Sequence, residues 1–555
     1  MHKNNPLILR NGMKIGSNDA ESDDNFLFQC FVHYPPVDDC LDPQSPTMII
    51  SGRTGSGKTA IIRYIGKTEE RTLEIDPTDM SMYYVSNSDT LRFLQSIEAD
   101  LDLLFQALWQ HVICIEFIRL CWKINDEQKS KNVFQKIKDK CSLDQRKKKA
   151  IDYLREWEGK FWITTDQNIK EITEKYEKRI QAELGGEIKK FIAKTNYSKQ
   201  LGSEKKIELI SRVKKIINSE QLHDLHKVID LLSENSDKSS QKKYFILIDK
   251  LDDNWIDVEI RFKMIRALIQ SLSRFRKISN LKILIAMRED VYERVLQETK
   301  DISFQKEKYE SYFVRLSWNK NDLKTLIDKR INSLFKRQYS SDNIHFDDLF
   351  KYNVGQSKPF DYLIDRTLLR PRDIISFVNE CIRCSESETI VSANHIRKAE
   401  QIYSQGRLLS IEQEWNSVFP LLKEVLDFFC KLKKSSISLS NLVENERSSI
   451  ESLALSLGSK EEKNFHLDPI FQASYCFIKN AQDPNARYEY VKKLCSILYR
   501  VSMIGIKLDV GEKYSFAHID LPVVDYNLIS NNATIKIHKI LWSAYKISDQ
   551  AQRNN

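Results

Sequence analysis

Residues 47–59 read TMIISGRTGSGKT, and the fold is read outward from this stretch. Met48-Ile49-Ile50 is a short apolar run of the kind that forms a strand buried on both faces. Gly52-Arg53-Thr54-Gly55-Ser56-Gly57-Lys58-Thr59 then satisfies G-x-x-x-x-G-K-[ST] at every fixed position. A loop of this type turns consecutive backbone N–H groups inward onto phosphate oxygens, and Gly52, Gly55 and Gly57 permit the conformation and the close approach. Ala60-Ile61-Ile62-Arg63-Tyr64-Ile65 suits a helix whose N-terminus faces the anion, so that the dipole and the unpaired amides act together. Lys58 would bring a point charge to the outer phosphates, and the Thr59 hydroxyl a ligand for Mg²⁺.

A second stretch completes this reading. Tyr244-Phe245-Ile246-Leu247-Ile248-Asp249 is a continuous apolar run ending in a carboxylate, so Asp249 is expected at the carboxyl edge of a buried strand, where it can hold Mg²⁺ through water. Lys250-Leu251-Asp252-Asp253 follows, then a helix from about Val258 to Arg276 and another buried strand, Leu281 to Met287, ending in Arg288-Glu289-Asp290. In a parallel sheet this order puts Arg288 beside Asp249. Arg71 to Ile75 and Tyr312 to Leu316 supply further strands, and Phe26 to Tyr34 reads as an edge strand or a segment lying beside the nucleotide.

The period becomes helical from Leu101, where Leu104, Phe105, Leu108, Val112 and Ile115 mark one apolar stripe. Residues from about 125 to 240 are rich in Lys and Glu and include Arg146-Lys147-Lys148-Lys149; Ile169, Ile172, Tyr176 and Ile180 mark one amphipathic helix, broken at Gly185-Gly186, and Ile210, Val213 and Ile217 another. The pattern describes an all-helical insertion whose basic residues either meet a nucleic acid or acidic partner or form a solvated face. His223 and His226 lack a third ligand, and Cys381 and Cys384 form a single CxxC within a helical pattern, which points to ordinary thiols. Leu323, Leu326, Ile327, Ile331 and Leu334 open a run of helices, and Leu368-Leu369-Arg370-Pro371-Arg372-Asp373 leads into another with Pro371 in its first turn. Arg370 and Arg372 either reach phosphates from such a lid or pair with carboxylates. Near the end, Met503 to Leu508, Asp509-Val510-Gly511-Glu512 and Lys513 to His518 read as a β-hairpin, and helices followed by a hairpin suggest a winged-helix unit that binds DNA or serves as a protein-interaction module.

The chain of 555 residues carries 86 basic and 78 acidic side chains, a net +8 that permits nucleic-acid contact without requiring it. Neither a signal-peptide core nor about 18 consecutive uncharged apolar residues is evident, since His111 to Trp122 is interrupted by Glu116 and Arg119. A cytoplasmic protein without membrane association, whose ten cysteines are reduced, is the expectation.

The order of phosphate loop, helical insertion, ILIDKLDD, ILIAMRED, a lid beginning near LLRPRD and a hairpin-bearing end resembles the bacterial AAA+-related and STAND-like P-loop ATPases. YVSNSDTLRFL, LDLLFQALWQHV and AEQIYSQGRLLSIEQEW resemble the FunZ-type ATP-binding proteins. The expected architecture is therefore α/β: a mobile N-terminus over 1–24, a parallel-sheet P-loop core over 25–320 with the insertion at 100–240, a helical lid over 321–410 and a helical, winged-helix-like domain over 411–555. The resemblance implies ATP and Mg²⁺ as ligands and a loose association with DNA transactions or defence against foreign genetic elements.

One departure bears on mechanism. In the related ATPases an acidic residue usually follows the Mg²⁺ aspartate, whereas Lys250 stands here, protonated at neutral pH and unable to accept a proton. Asp252 or Asp253 would have to substitute, with Arg288 as a further catalytic candidate, or a partner or neighbouring subunit of a homo-oligomer would supply the missing group. Two readings follow: an ATPase coupling turnover to movement of the lid and C-terminal domains, and a nucleotide-gated switch with negligible turnover. A small-molecule kinase shares the loop but has no use for the long insertion and terminal domains.

Overall fold

Five strands that run parallel form the centre of one half of the protein: β1 (Ile49–Gly52), β2 (Thr72–Ile75), β3 (Tyr244–Ile248), β4 (Leu281–Arg288) and β5 (Phe313–Arg315), in the order β2-β3-β4-β1-β5. The computed structural model describes residues 8–77, 101–123, 145–157, 160–161, 167, 220–234, 242–253, 255–299, 306–336, 343–461, 465–509 and 511–548. The chain divides into two units: a sheet unit, His33–Gly52 with Lys58–Leu316, and a helical unit, Met1–Val32 with Arg53–Gly57 and Ser317–Asn555. The C-terminal helices and the expected lid therefore share one unit, and the five central residues of the phosphate loop are counted with them.

In the sheet unit, β1 and β3 are buried along their whole length, as continuous apolar runs in a two-sided parallel sheet must be. Helix α1 (Lys58–Thr68) follows β1, and α2 (Asp102–Trp122) packs on α5 (Val258–Phe275), where the Trp109 indole N–H donates to the Met264 carbonyl at 2.9 Å. Helices α3 (Gln145–Trp157) and α4 (Glu220–Glu234) lie between α2 and α5 in the chain. α2 departs from the single stripe expected of it, because Leu104, Trp109, Ile113, Cys114, Phe117 and Ile118 bury most of its circumference. It is a core helix. By length and composition it would also cross a membrane, but 61% of the relevant window is buried inside the protein. His111 on this helix hydrogen-bonds the Tyr153 hydroxyl at 2.8 Å, and burial drives its pKa down to about 3, so it is a neutral core residue. Helix α6 (Glu289–Thr299) follows β4. Most of the basic insertion lies outside the described residues, as do the helices expected around Ile169–Ile180 and Ile210–Ile217 and the YVSNSDTLRFL stretch.

The helical unit contains α7 (Lys320–Lys336), α8 (Pro371–Cys384), α9 (Ala393–Trp415), α10 (Leu422–Lys431), α11 (Leu439–Asn445), α12 (Arg447–Gly458), α13 (Pro469–Lys479) and α14 (Ala486–Arg500). Its antiparallel sheet has the order β6-β8-β7, with β6 Ser436–Ser438, β7 Ile504–Lys507 and β8 Thr534–Ile537. The expected hairpin is thus replaced: β7 pairs with β8, and Ser515 makes only an isolated bridge to Ile506. A local constraint explains it. Phe516 seats its ring over Gly505, where an added Cβ would approach Phe516 Cζ to 2.5 Å, and residues 516–520 close a turn through Asp520 N–H donating to the Phe516 carbonyl at 2.8 Å. The chain therefore leaves the sheet where a second strand was expected.

The region Phe26 to Tyr34 holds no strand either. Asp24–Leu27 and Pro35–Leu41 are short helices, the latter with proline at its first turn. Residues 8–24 are packed, with Leu9 and Ile15 fully buried and the Ile15 amide donating to Asn379 Oδ1 at 2.8 Å. Their anchor is a buried ion pair, Arg330 Nη2 to Asp23 Oδ2 at 2.6 Å, with Ser17 N–H and the Ile15 carbonyl completing the hydrogen bonds. Breaking such a pair strands a charge in the interior. Arg330→Ala is expected to cost about 3–5 kcal/mol in a urea titration, and the double variant Asp23→Leu/Arg330→Met much less; a single-variant loss below about 1 kcal/mol would contradict this account.

Candidate functional site

Because the strands of the sheet unit are parallel, the residues that follow β1, β3 and β4 emerge at one edge. Helix α1 begins there with Lys58 and Thr59, and Asp249 follows β3. The Thr59 hydroxyl stands by the Asp249 carboxylate and helps lower its pKa, and the Lys250 amide donates to Asp249 Oδ1 at 2.8 Å. Burial raises the Asp249 pKa above the ordinary carboxylate range, against the Lys250 amide, the Thr59 hydroxyl and the nearby Lys58 charge, which pull it down. Lys58 is buried and donates to the Gly52 carbonyl at 3.0 Å. A buried carboxylate, a hydroxyl and an ammonium are thus gathered where β1 and β3 end.

The residues around them are engaged. Lys250 has a left-handed backbone, φ +61°, and its ammonium lies 3.8 Å from Asp76 Oδ2, just past β2. Arg288 does stand near the Asp249 strand, as β4 beside β3 requires, but its guanidinium is shared between Asp252, at 3.0 Å, and Asp290, at 2.8 and 2.9 Å. Arg261 donates to the carbonyls of Asp253 at 2.9 Å and Asp252 at 3.2 Å, holding the loop after Lys250.

Within the helical unit the central loop residues are gripped one after another. Arg53 sends its buried guanidinium to Ser502 Oγ at 2.7 Å and to the Arg500 carbonyl at the end of α14, while lying 5.8 Å from the Trp415 ring. The Thr54 carbonyl accepts from Arg370 Nη1 at 2.9 Å, the Gly55 carbonyl from the Arg372 amide at 3.3 Å, and the Ser56 carbonyl from the Trp318 indole at 2.8 Å. Gly55 has φ +79° and Gly57 φ +101°, and a Cβ on Gly55 would meet Arg372 Cβ at 2.6 Å. Glycine is therefore required at Gly55 by conformation and by space. Among the described residues the buried Thr54 and Ser56 hydroxyls have no hydrogen-bond partner.

Arg370 and Arg372 part company. Arg370 is a buried residue ion-paired to Glu414 at 2.9 Å and Asp373 at 3.1 Å, so it acts on the loop through the Thr54 carbonyl. Arg372 is half-buried and turns its Nε to the Asn18 carbonyl at 2.8 Å. The docking of Arg53, Trp318 and Glu414 escaped the sequence reading: Arg53 occupies an unconstrained motif position, and the others carry no local signal. His226 hydrogen-bonds Gln110, the described cysteines are free, and no metal-binding cluster occurs among the described residues.

Comparison with known proteins matches residues 321–412 to the FunZ-associated C-terminal helical domain, which includes α8 and most of α9. A putative transposon gamma-delta 80.3 kDa protein of Escherichia coli K12 is 24% identical over 320 residues, 56% of this chain and 41% of that protein. Allergen Alt a 2 of Alternaria alternata is 25% identical over 145 residues, 26% of this chain and 74% of the allergen. The chain thus spans 41% of the transposon protein's length, and the family match covers the helical segment carrying Arg370 and Arg372.

Proposed function

We propose that this chain is a Mg²⁺-dependent ATP-binding P-loop protein with slow intrinsic hydrolysis, acting in DNA transactions such as those of mobile genetic elements. The observation that carries the reading is the placement of the Thr59 hydroxyl and Lys58 by the buried Asp249 carboxylate, because it joins the two halves of the sequence motif at one sheet edge. Strand order β2-β3-β4-β1-β5 supports a core of the AAA+ and STAND-like kind, and the buried, unpartnered hydroxyls of Thr54 and Ser56 fit a loop that meets a polar ligand. Thr59 and Asp249 would hold Mg²⁺, which when bound neutralises phosphate charge. Lys58 would orient the outer phosphates from its place near Gly52, and the loop amides would bind the inner ones.

Slow turnover follows from the surroundings of Asp249. Lys250 leans toward Asp76 and is itself protonated, and Asp252 is held by Arg288 and so does not stand ready as a proton acceptor. The same arrangement favours the second reading, a nucleotide-gated switch whose turnover awaits a partner or a second subunit. The β6-β8-β7 sheet, in which β6 follows α10 and β7 and β8 follow α14, supports a winged-helix-like end, and the transposon-associated relative supports DNA as its partner. Association with DNA through basic residues would weaken steeply with salt.

Steady-state ATP hydrolysis with and without double-stranded DNA tests the proposal. Lys58→Ala and Asp249→Ala are each expected to reduce turnover at least about a hundredfold, and DNA to raise that of the wild type. Turnover indifferent to both substitutions would refute it, and tight Mg²⁺-dependent binding without turnover would select the switch. Stability gives an independent check on Asp249. Its folded pKa is raised, so its contribution to stability is present at low pH and lost as pH rises through the folded value. Asp249→Asn is therefore expected to raise Tm at neutral pH while weakening Mg-ATP binding, with the Tm difference closing as pH falls. An Asn variant with a lower neutral Tm would oppose this.

A further inference from the structure

Packed helices α8 and α9 line a half-open cavity of about 400 Å³ that Asn18 and Asp19 also border. Arg372, Ser376 and Glu380 stand one turn apart on α8, and Tyr403, Gly406, Arg407 and Ser410 line the opposing stripe of α9. Its size is within the range of small-molecule sites. Its polar groups are unusually short of partners. Among the described residues, the hydroxyl of Tyr403, 3% exposed, and the Nε of Arg407, 7% exposed, find no hydrogen-bond partner. Among the described residues Arg407 pairs with Asp373 alone, at 3.3 Å, and that carboxylate is shared with Arg370. Arg372 donates its Nε to Asn18, and among the described residues no carboxylate lies within ion-pairing distance of it. The acidic groups at the rim are already occupied: Glu380 by Arg383, and Asp19 by the Ser22 amide and hydroxyl at 2.8 and 2.6 Å. The Arg372 pKa is depressed by burial first and then by Arg370 and Arg407, a sign of uncompensated positive charge.

We infer that this cavity is a second, separate ligand site, and that it takes a small phosphate-bearing anion held by the guanidinium groups of Arg372 and Arg407 and the Tyr403 hydroxyl. Two guanidinium forks suit a multi-oxygen anion better than a neutral molecule, and buried donors gain most from a charged acceptor. An occupant would lie against Arg372, whose amide holds the Gly55 carbonyl. The inference does not depend on nucleotide binding at the phosphate loop.

Gly406 provides a clean test, because a Cβ placed there meets no atom within 4 Å. Gly406→Leu fills the cavity from within a helix and removes a poor helix former, so the fold is retained. Isothermal titration of the full chain with inorganic phosphate, pyrophosphate and AMP, in wild type and in Lys58→Ala, is expected to give saturable binding of at least one probe in both. Gly406→Leu and Arg407→Gln are expected to weaken it at least about tenfold, with Tyr403→Phe weakening it less, and melting curves establish that each variant is folded. Binding that disappears in Lys58→Ala belongs to the phosphate loop and overturns the inference. So does binding unchanged in folded Gly406→Leu, or no saturable binding of any probe at millimolar concentration.

Discussion

The helical unit is arranged around the buried guanidinium of Arg370. It stands at the N-cap of α8, ahead of Pro371, and meets Asp373 of the same helix, Glu414 near the end of α9 and the Thr54 carbonyl. Burial alone would push the acids toward neutrality, yet Arg370 and Arg407 overcome it and hold Asp373 below its ordinary range, as Arg370 and Arg53 do for Glu414. A charge withdrawn from water in this way is tolerated only when its partners stay in place, since removing one leaves the rest uncompensated. The start of α8, the end of α9 and the second variable residue of the phosphate loop are thereby fixed together.

The same economy governs the sheet unit, with the opposite sign. A two-sided parallel sheet exposes polar groups only at its strand ends, so Asp249 emerges from β3 into a half-desolvated edge. Thr59 and the Lys250 amide satisfy part of its carboxylate, and burial still disfavours the charge. Such a group gains from a cation in proportion to what it lost on desolvation.

How much of this could be read from the chain depended on whether the signal was local. Strands β1, β3 and β4 and helix α5 announce themselves, because a buried run or a helical period is a property of neighbouring residues. The Lys58, Thr59 and Asp249 positions follow from motif and topology together. What escaped were pairings at long range. β7 chose residues 534–537 over 513–518 because Phe516 needs the space above Gly505, and α2 is apolar on nearly every side because β3, α3 and α5 all lie against it. The aromatic run at 26–34 carries strand-forming residues but is captured by Asp23–Arg330 and by the proline-started helix behind it.

Lys250 then acquires a structural meaning beyond its chemistry. A left-handed φ of +61° is adopted by lysine only where surroundings enforce it, and here Arg261 fixes the two carbonyls that follow while Asp76 lies within reach of the side chain. The backbone therefore turns sharply just after Asp249, and Asp252 is delivered to Arg288 and not toward Asp249. A carboxylate simply substituted for Lys250 would inherit that turn and project toward Asp76, where like charges repel. On the proposed ATP-binding reading, Asp252 could serve as a proton acceptor only if its pair with Arg288 opened, which makes that partly buried ion pair the natural point at which another molecule would govern turnover.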